Sequence, residues 1–289
     1  MRNFLLLFLV LSVSASNAQE FQAFTIYNKK GRKVAPDAMV KNLANYDVVL
    51  VGELHNNSIN HWLQLRLTKA LYRLKNGRVI LGAEMFERDN QDGLNAYLEG
   101  KISAVRLSDS VRLWTNFKTD YKPLLDFAKE HRLKFIATNV PRKYASLTAK
   151  QGITSLDTLR AIEKRNMAPL PIKIDMKTPG YTEMLTMMGD HAGSTAINFV
   201  AAQAIKDATM AESILQNLVP GTLFIHYNGN YHSKEYGGIY WYLKQKRSNL
   251  RVAVLSVEEA DNIDLPFPEK DFVATEYNLV VPADMTKTY

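Results

Sequence analysis

Five short apolar runs, each rich in β-branched residues and set apart by stretches of helical periodicity, constrain this chain most. They occupy residues 47–51, 78–83, 134–138, 222–226 and 251–257. Each is continuously apolar rather than alternating, which is the pattern of strands buried on both faces of a parallel sheet. Between the first two, residues 58–75 place Leu63, Leu67, Leu71 and Leu74 at helical spacing and end at Asn76-Gly77, a stop signal. Helices are also predicted over 123–131, with Pro123 at its start, over 194–218, stopped before Pro220-Gly221, and over 236–246. Alternation of this kind specifies an α/β fold with a mostly parallel central sheet flanked by helices. The long, mainly helical excursion at 141–218, between the third and fourth core strands, is expected to form a cap or insertion over one end of the sheet. Residues 277–281 read as a final edge strand.

Residues 1–18 read as a leader. Arg2 supplies the positive charge, residues 4–13 the apolar run, and Ser16-Asn17-Ala18 the small residues before a cleavage at Gln19. The run is shorter than the ~20 apolar residues a membrane span needs. Export to the periplasm or beyond is therefore expected. Residues 19–289 hold no Pro/Gly/Ser-rich linker, low-complexity tract or repeat, and read as a single domain. With 0 Cys, the chain has no disulfide, no thiolate nucleophile, no Cys-bound zinc and no cysteine for lipid attachment. Its stability must come from core burial, for which it is long enough. The formal charge of +7, or +6 once Arg2 leaves with the leader, favours anionic ligands. No dense Lys/Arg cluster interleaved with aromatics points to nucleic acid.

Chemistry gathers just after the strands. Gly52-Glu53-Leu54-His55-Asn56-Asn57 follows the first, Glu84-Met85-Phe86-Glu87-Arg88 the second, Asn139-Val140-Pro141-Arg142 the third and Asn228-Gly229-Asn230-Tyr231-His232 the fourth. Ligands of open α/β sheets bind in the crevice at the carboxyl ends of the strands, so Glu53, His55, Glu84 and His232 are expected to share one rim. Two carboxylates and two imidazoles suit a divalent metal ion or general acid–base catalysis. On the long helix, Gln203, Asp207 and Met210 share a face. A buried Asp207 needs a partner, and Arg142 is the one proposed from sequence.

These motifs resemble the ChaN-like haem-binding uptake family of the Tiki-like superfamily. Gly52-Glu53-Leu54-His55-Asn56-Asn57 with His61 and Gln64 is similar to its opening motif, with Asn56 where Asp is usual. Glu84-Met85-Phe86-Glu87-Arg88 with Gln91 is similar to the second motif. Trp114, Tyr121 and Pro123 follow its aromatic pattern, and Ala137-Thr138-Asn139-Val140-Pro141-Arg142 its third strand end. Gln203, Asp207, Met210 and Ala211 follow its long helix, with Lys206 where Arg is usual, and Gly229-Asn230-Tyr231-His232 its closing motif. The resemblance spans residues 48–257. It implies haem binding in iron uptake at the cell envelope, with a homodimer and an outer-membrane haem or iron receptor system as partners. Other branches of the superfamily use the two Gly-x-x-His motifs in a metal-dependent protease, or a related Glu/His arrangement to activate water.

Two functions therefore stand side by side. Haem iron takes His, Met, Cys or Tyr. Tyr181, Met184, Met187, Met188 and His191 cluster in the excursion, with Met184, Met187, Met188 and His191 on one helical face. The same stripe would serve equally as core packing. Tyr227 and Tyr231 flank the fourth strand end as rival ligands, and Lys143 or Lys177 are candidates to neutralise propionates. The alternative is a metal-dependent hydrolase in which Glu53, His55, Glu84 and His232 hold an ion or activate water.

Overall fold

All five apolar runs are strands in the computed structural model, which describes residues 22–189, 193–263, 266–268 and 271–289. The leader expected at 1–18 and His191 lie outside the described residues. A short strand absent from the sequence reading, β1 (Thr25–Asn28), comes first. It is followed by β2 (Val48–Glu53), β3 (Val79–Glu87), β4 (Phe135–Asn139), β5 (Leu223–Gly229), β6 (Val252–Ala260) and β7 (Tyr277–Pro282). The sheet order is β1-β7-β6-β2-β5-β3-β4. Every neighbouring pair is parallel except β1 with β7, which is antiparallel. The predicted last strand exists but is not an edge, because β1 pairs outside it along Thr25 to Val280. A strand of 4 residues carries too little periodicity to stand out in sequence.

The continuous apolar runs have the cause expected of them. Along β2, Val49 and Val51 enter one core with Leu67 and Leu71, while Val48 and Leu50 enter the opposite core with Ile205, Ala208, Ile239 and Leu243. Successive side chains of a strand point to opposite faces, so both sets must be apolar when helices cover both. On the first face lie α1 (Pro36–Leu43), α2 (Ser58–Leu74), α3 (Gln91–Leu98), the short α4 (Ala104–Leu107) and α5 (Lys122–Glu130). Asn57 caps α2 by accepting from Asn60 N at 3.1 Å. The helix ends where Asn76 and Gly77 take φ of 50° and 78°, as the Asn-Gly signal predicts.

The excursion between β4 and β5 contains α6 (Arg142–Gln151), α7 (Ala161–Lys164), α8 (Pro179–Met188) and α9 (Gly193–Asn217), and α10 (Gly238–Lys246) follows β5. Part of the excursion is ordinary flanking structure: Ile205, Ala208, Met210 and Ile214 of α9 pack on the sheet face. Met184 of α8, Phe199, Ala202, Gln203 and Lys206 of α9 and one face of α6 instead wall a cavity at the strand ends. Among the described residues no helix is long and apolar enough to cross a membrane.

Candidate functional site

The cavity holds about 910 Å³ and is lined from every strand end the sequence singled out, including Glu53, Glu84, Asn139, Gly229 and His232. It opens where the chain leaves β2 through α2 on one face of the sheet and β5 through α10 on the other. Such a switch parts the flanking helices and leaves a crevice. Close backbone approach builds its floor. The Asn230 side chain extends the sheet by donating to Val257 O at 2.6 Å and accepting from Val257 N at 3.1 Å. A Cβ on Gly52 would lie 2.3 Å from Asn230 Oδ1 and 2.6 Å from Leu255 O, so only glycine fits there. A Cβ on Gly229 would likewise meet His55 Nε2 at 2.7 Å.

Two ionic networks occupy the floor. In the first, Glu53 is buried at the end of β2 and accepts from Tyr121 Oη at 2.7 Å, His55 Nδ1 at 2.8 Å and Gln64 Nε2 at 2.7 Å. Burial would raise its carboxyl, but the hydrogen bond from His55 and the charges of His61 and His55 outweigh it and hold the group below its ordinary value. Burial would conversely lower His55, and Glu53 together with the charge of Glu84 raises it. Trp114 packs against the His55 ring at 4.9 Å. His61 Nε2 lies 3.1 Å from His55 O and 3.5 Å from Asp120 Oδ2. Asp120 also accepts from Asn116 Nδ2 at 2.6 Å and from Thr288 Oγ1 at 2.8 Å.

In the second network His232 bridges two carboxylates. Its Nε2 lies 3.0 Å from Glu84 Oε1 and its Nδ1 bonds Asp207 Oδ1. Glu84 Oε2 accepts from Gly229 N at 2.7 Å, and Asp207 Oδ2 from Tyr181 Oη at 2.6 Å. The Gln203 amide lies 3.0 Å from His232 Nδ1. Burial would lower His232, but Glu84 and Asp207 together push it up to about 9, so it is an imidazolium at neutral pH. Against its own burial, Glu84 is held well below the usual carboxylate range by His232, with help from His55 and Lys206. Burial prevails at Asp207, which is raised. The full ion pair is therefore Glu84–His232, with Asp207 as a coupled acceptor.

This geometry corrects several expectations. Glu84 lies within β3 rather than after it, where the register with β4 shifts between Ala83 and Glu87. Asp207 pairs with His232 and Tyr181, not with Arg142. Among the described residues no three His, Asp or Glu side chains are arranged to hold a metal ion. Of the four residues expected to share a divalent ion, Glu53 pairs with His55 in the first network and Glu84 with His232 in the second.

The predicted haem ligands scatter. Tyr227 is fully buried and its Oη bonds Thr68 Oγ1, so it faces the α2 core and not the cavity. Tyr181 is buried as the partner of Asp207 and is likewise closed to a ligand. Met184 and Tyr231 line the cavity, whereas Met188 does not. Tyr231 is 41 % exposed, with its Oη on Glu183 Oε1 at 3.1 Å and Lys234 over its ring at 4.0 Å. The expected Met face does not run on, because α8 ends at Met188 and Gly189 takes φ of 73°. Neither Lys143 nor Lys177 lines the cavity; Arg112, Arg142, Lys206 and Lys234 do.

The sequence reading passed over Asp120, His226 and the segment at 287–289. His226 was visible only as a polar residue inside an apolar run. It is fully buried between Thr138 Oγ1 at 2.8 Å and Asn228 Oδ1 at 3.1 Å, and burial lowers it to about 4, so it is a neutral hydrogen-bonding post. Thr288 N donates to Asn56 O at 2.9 Å, bringing Tyr289 to the cavity wall. No local signal marks that segment.

Comparison with known proteins agrees with this architecture. The family model described as haem-binding uptake, Tiki superfamily, ChaN matches residues 39–243. The solved structure of ChaN of Campylobacter jejuni, a study of cofacial haem binding, superposes with a TM-score of 0.69 at 19% identity, covering 92% of this chain and 99% of that one. A succinoglycan biosynthesis protein gives a TM-score of 0.47 at 12% identity, over 77% of this chain and 68% of its own. The erythromycin esterase EreC in its open conformation gives 0.47 at 11% identity, over 81% and 77%. No curated protein matches the chain. With the family model covering most of its length, the chain belongs to the ChaN haem-binding uptake family of the Tiki superfamily.

Proposed function

We propose that this protein binds haem in the cavity at the carboxyl ends of β2, β3, β4 and β5, and serves haem and iron uptake at the cell envelope after export by its leader. The observation that carries the reading is the pairing of a cavity of about 910 Å³ with two accessible donors of the types haem iron accepts, Met184 and Tyr231. Cofactor-sized ligands occupy cavities of roughly 300–1,000 Å³. Tyr231 is the better placed as axial ligand, since its phenol stands at the exposed mouth with one hydrogen bond to give up. Phe199, 50 % exposed, offers an apolar face beside it, and Met187 and Ile197 leave further apolar surface on α8 and α9. Exposed apolar surface of this kind favours a second copy closing over the bound haem. An outer-membrane receptor system would supply the haem.

The test is a haemin titration of residues 19–289 followed in the Soret band. Saturable binding is expected, with the band position changed in Tyr231→Phe and retained in Met184→Leu. An unsaturable response of the unmutated protein overturns haem binding. An unchanged band in Tyr231→Phe moves the ligand to Met184 or to His55, whose Nε2 faces Gly229.

A further inference from the structure

Two helices turn matched faces to the cavity. From α6 come Arg142, Ala145, Ser146 and Ala149, and from α9 Phe199, Ala202, Gln203 and Lys206. Both sets follow i, i+3, i+4, i+7 spacing, so each is one helical stripe. Four Lys and Arg side chains line the cavity, and two are already neutralised: Arg112 pairs with Glu87 at 2.9 Å and Lys234 with Glu183. Arg142 and Lys206 make no close ion pair among the described residues, although the charge of Lys206 is felt at Glu84. Arg142 is also the first residue of α6, whose N-terminal end carries a partial positive charge. Asn139 stands on the same side at the end of β4. It is buried, its Nδ2 donates to Glu84 O at 3.0 Å, and its Oδ1 has no partner. A buried acceptor in this state is completed by water or ligand. The carboxylates of the floor, Glu53 and Glu84, are by contrast committed to histidines. The cavity is therefore polarised, with its acidic floor internally compensated and its α6–α9 wall left cationic.

We propose that Arg142 and Lys206 form an anion clamp that selects ligands carrying carboxylates and seats the haem propionates against the α6–α9 wall. The inference rests on the haem reading above and adds to it the orientation and chemical class of the ligand. The side chains that line this wall beside the two cations include the small ones of Ala145, Ser146, Ala149 and Ala202.

The experiment compares haemin with its dimethyl ester, which keeps the ring and iron but removes both carboxylates. Both are titrated in the same detergent against the unmutated protein and against Arg142→Gln/Lys206→Gln. The unmutated protein is expected to bind haemin at least about ten-fold more tightly than the diester, and the double variant to lose about ten-fold for haemin alone, as for loss of charge-assisted contacts. The preference for haemin should also shrink as salt is raised. Equal affinity for haemin and diester in the unmutated protein, a comparison that needs no variant, overturns the clamp while leaving haem binding intact. Equal losses for both ligands in the double variant also overturn it, since they would mark a general role in shape. If neither ligand gives a saturable shift, the haem reading itself fails, and the clamp with it.

Discussion

His232 carries a positive charge with carboxylates on both sides, and this makes the floor of the site sensitive to pH. Its folded value, about 9, exceeds the ordinary 6.5. A group raised in this way stabilises the fold fully below its unfolded value and ceases to do so as pH rises through the folded one. The contribution is up to roughly 3 kcal/mol, less the cost of holding Asp207 buried. Melting temperature should therefore fall between about pH 6.5 and 9, and His232→Gln should flatten the decline. Persistence of the full slope in His232→Gln would assign it to other groups. Asp207→Ala removes the acceptor of both His232 Nδ1 and Tyr181 Oη. A broken buried pair typically costs about 3–5 kcal/mol, readable as a shift in denaturation midpoint.

At the scale of elements, β4 is an edge strand of the sheet, and the second motif serves to close it. Gln91 donates from Nε2 to Phe135 O at 3.0 Å and accepts at Oε1 from Ala137 N at 2.7 Å. Further along β4, Ser213 Oγ of α9 donates to the carbonyl of Thr138 at 2.9 Å. Arg88 locks the corner by donating to Ser213 Oγ at 2.8 Å and Glu212 Oε2 at 3.1 Å. An unpaired edge invites another strand, and an unmade buried hydrogen bond costs about 1–3 kcal/mol. Gln91→Ala should therefore lower stability by that order and raise aggregation near the midpoint of unfolding, measurable by light scattering during a melt. A variant that stays monodisperse would show that α9 alone protects the edge.

For the whole molecule, haem that binds only the folded state must stabilise all of it. At one hundred times Kd the gain is about 2.7 kcal/mol, which for a domain of this size raises Tm by roughly 5–10 °C. Calorimetry with haemin checks this, and no rise at saturating haemin would oppose haem binding in the cavity.

The sheet and the location of the site were legible in the residues themselves. Burial on both faces demands uninterrupted apolar runs such as Val48-Val49-Leu50-Val51, and whatever follows a parallel strand inherits a place at its carboxyl end. Glu53, His55, Glu84 and His232 could be gathered to one rim on that ground alone, and the ordered motifs carried the family. Which of them touch was decided by tertiary structure. Asp207 meets His232, 25 residues away in sequence, rather than Arg142. Strand alternation turns Tyr227 into the α2 core and His226 to the other face, and Thr288 closes on Asp120 across 168 residues. Periodicity is a local property and survives in one dimension. Pairing among buried polar groups depends on distances between elements remote in the chain, and those exist only once the helices have packed.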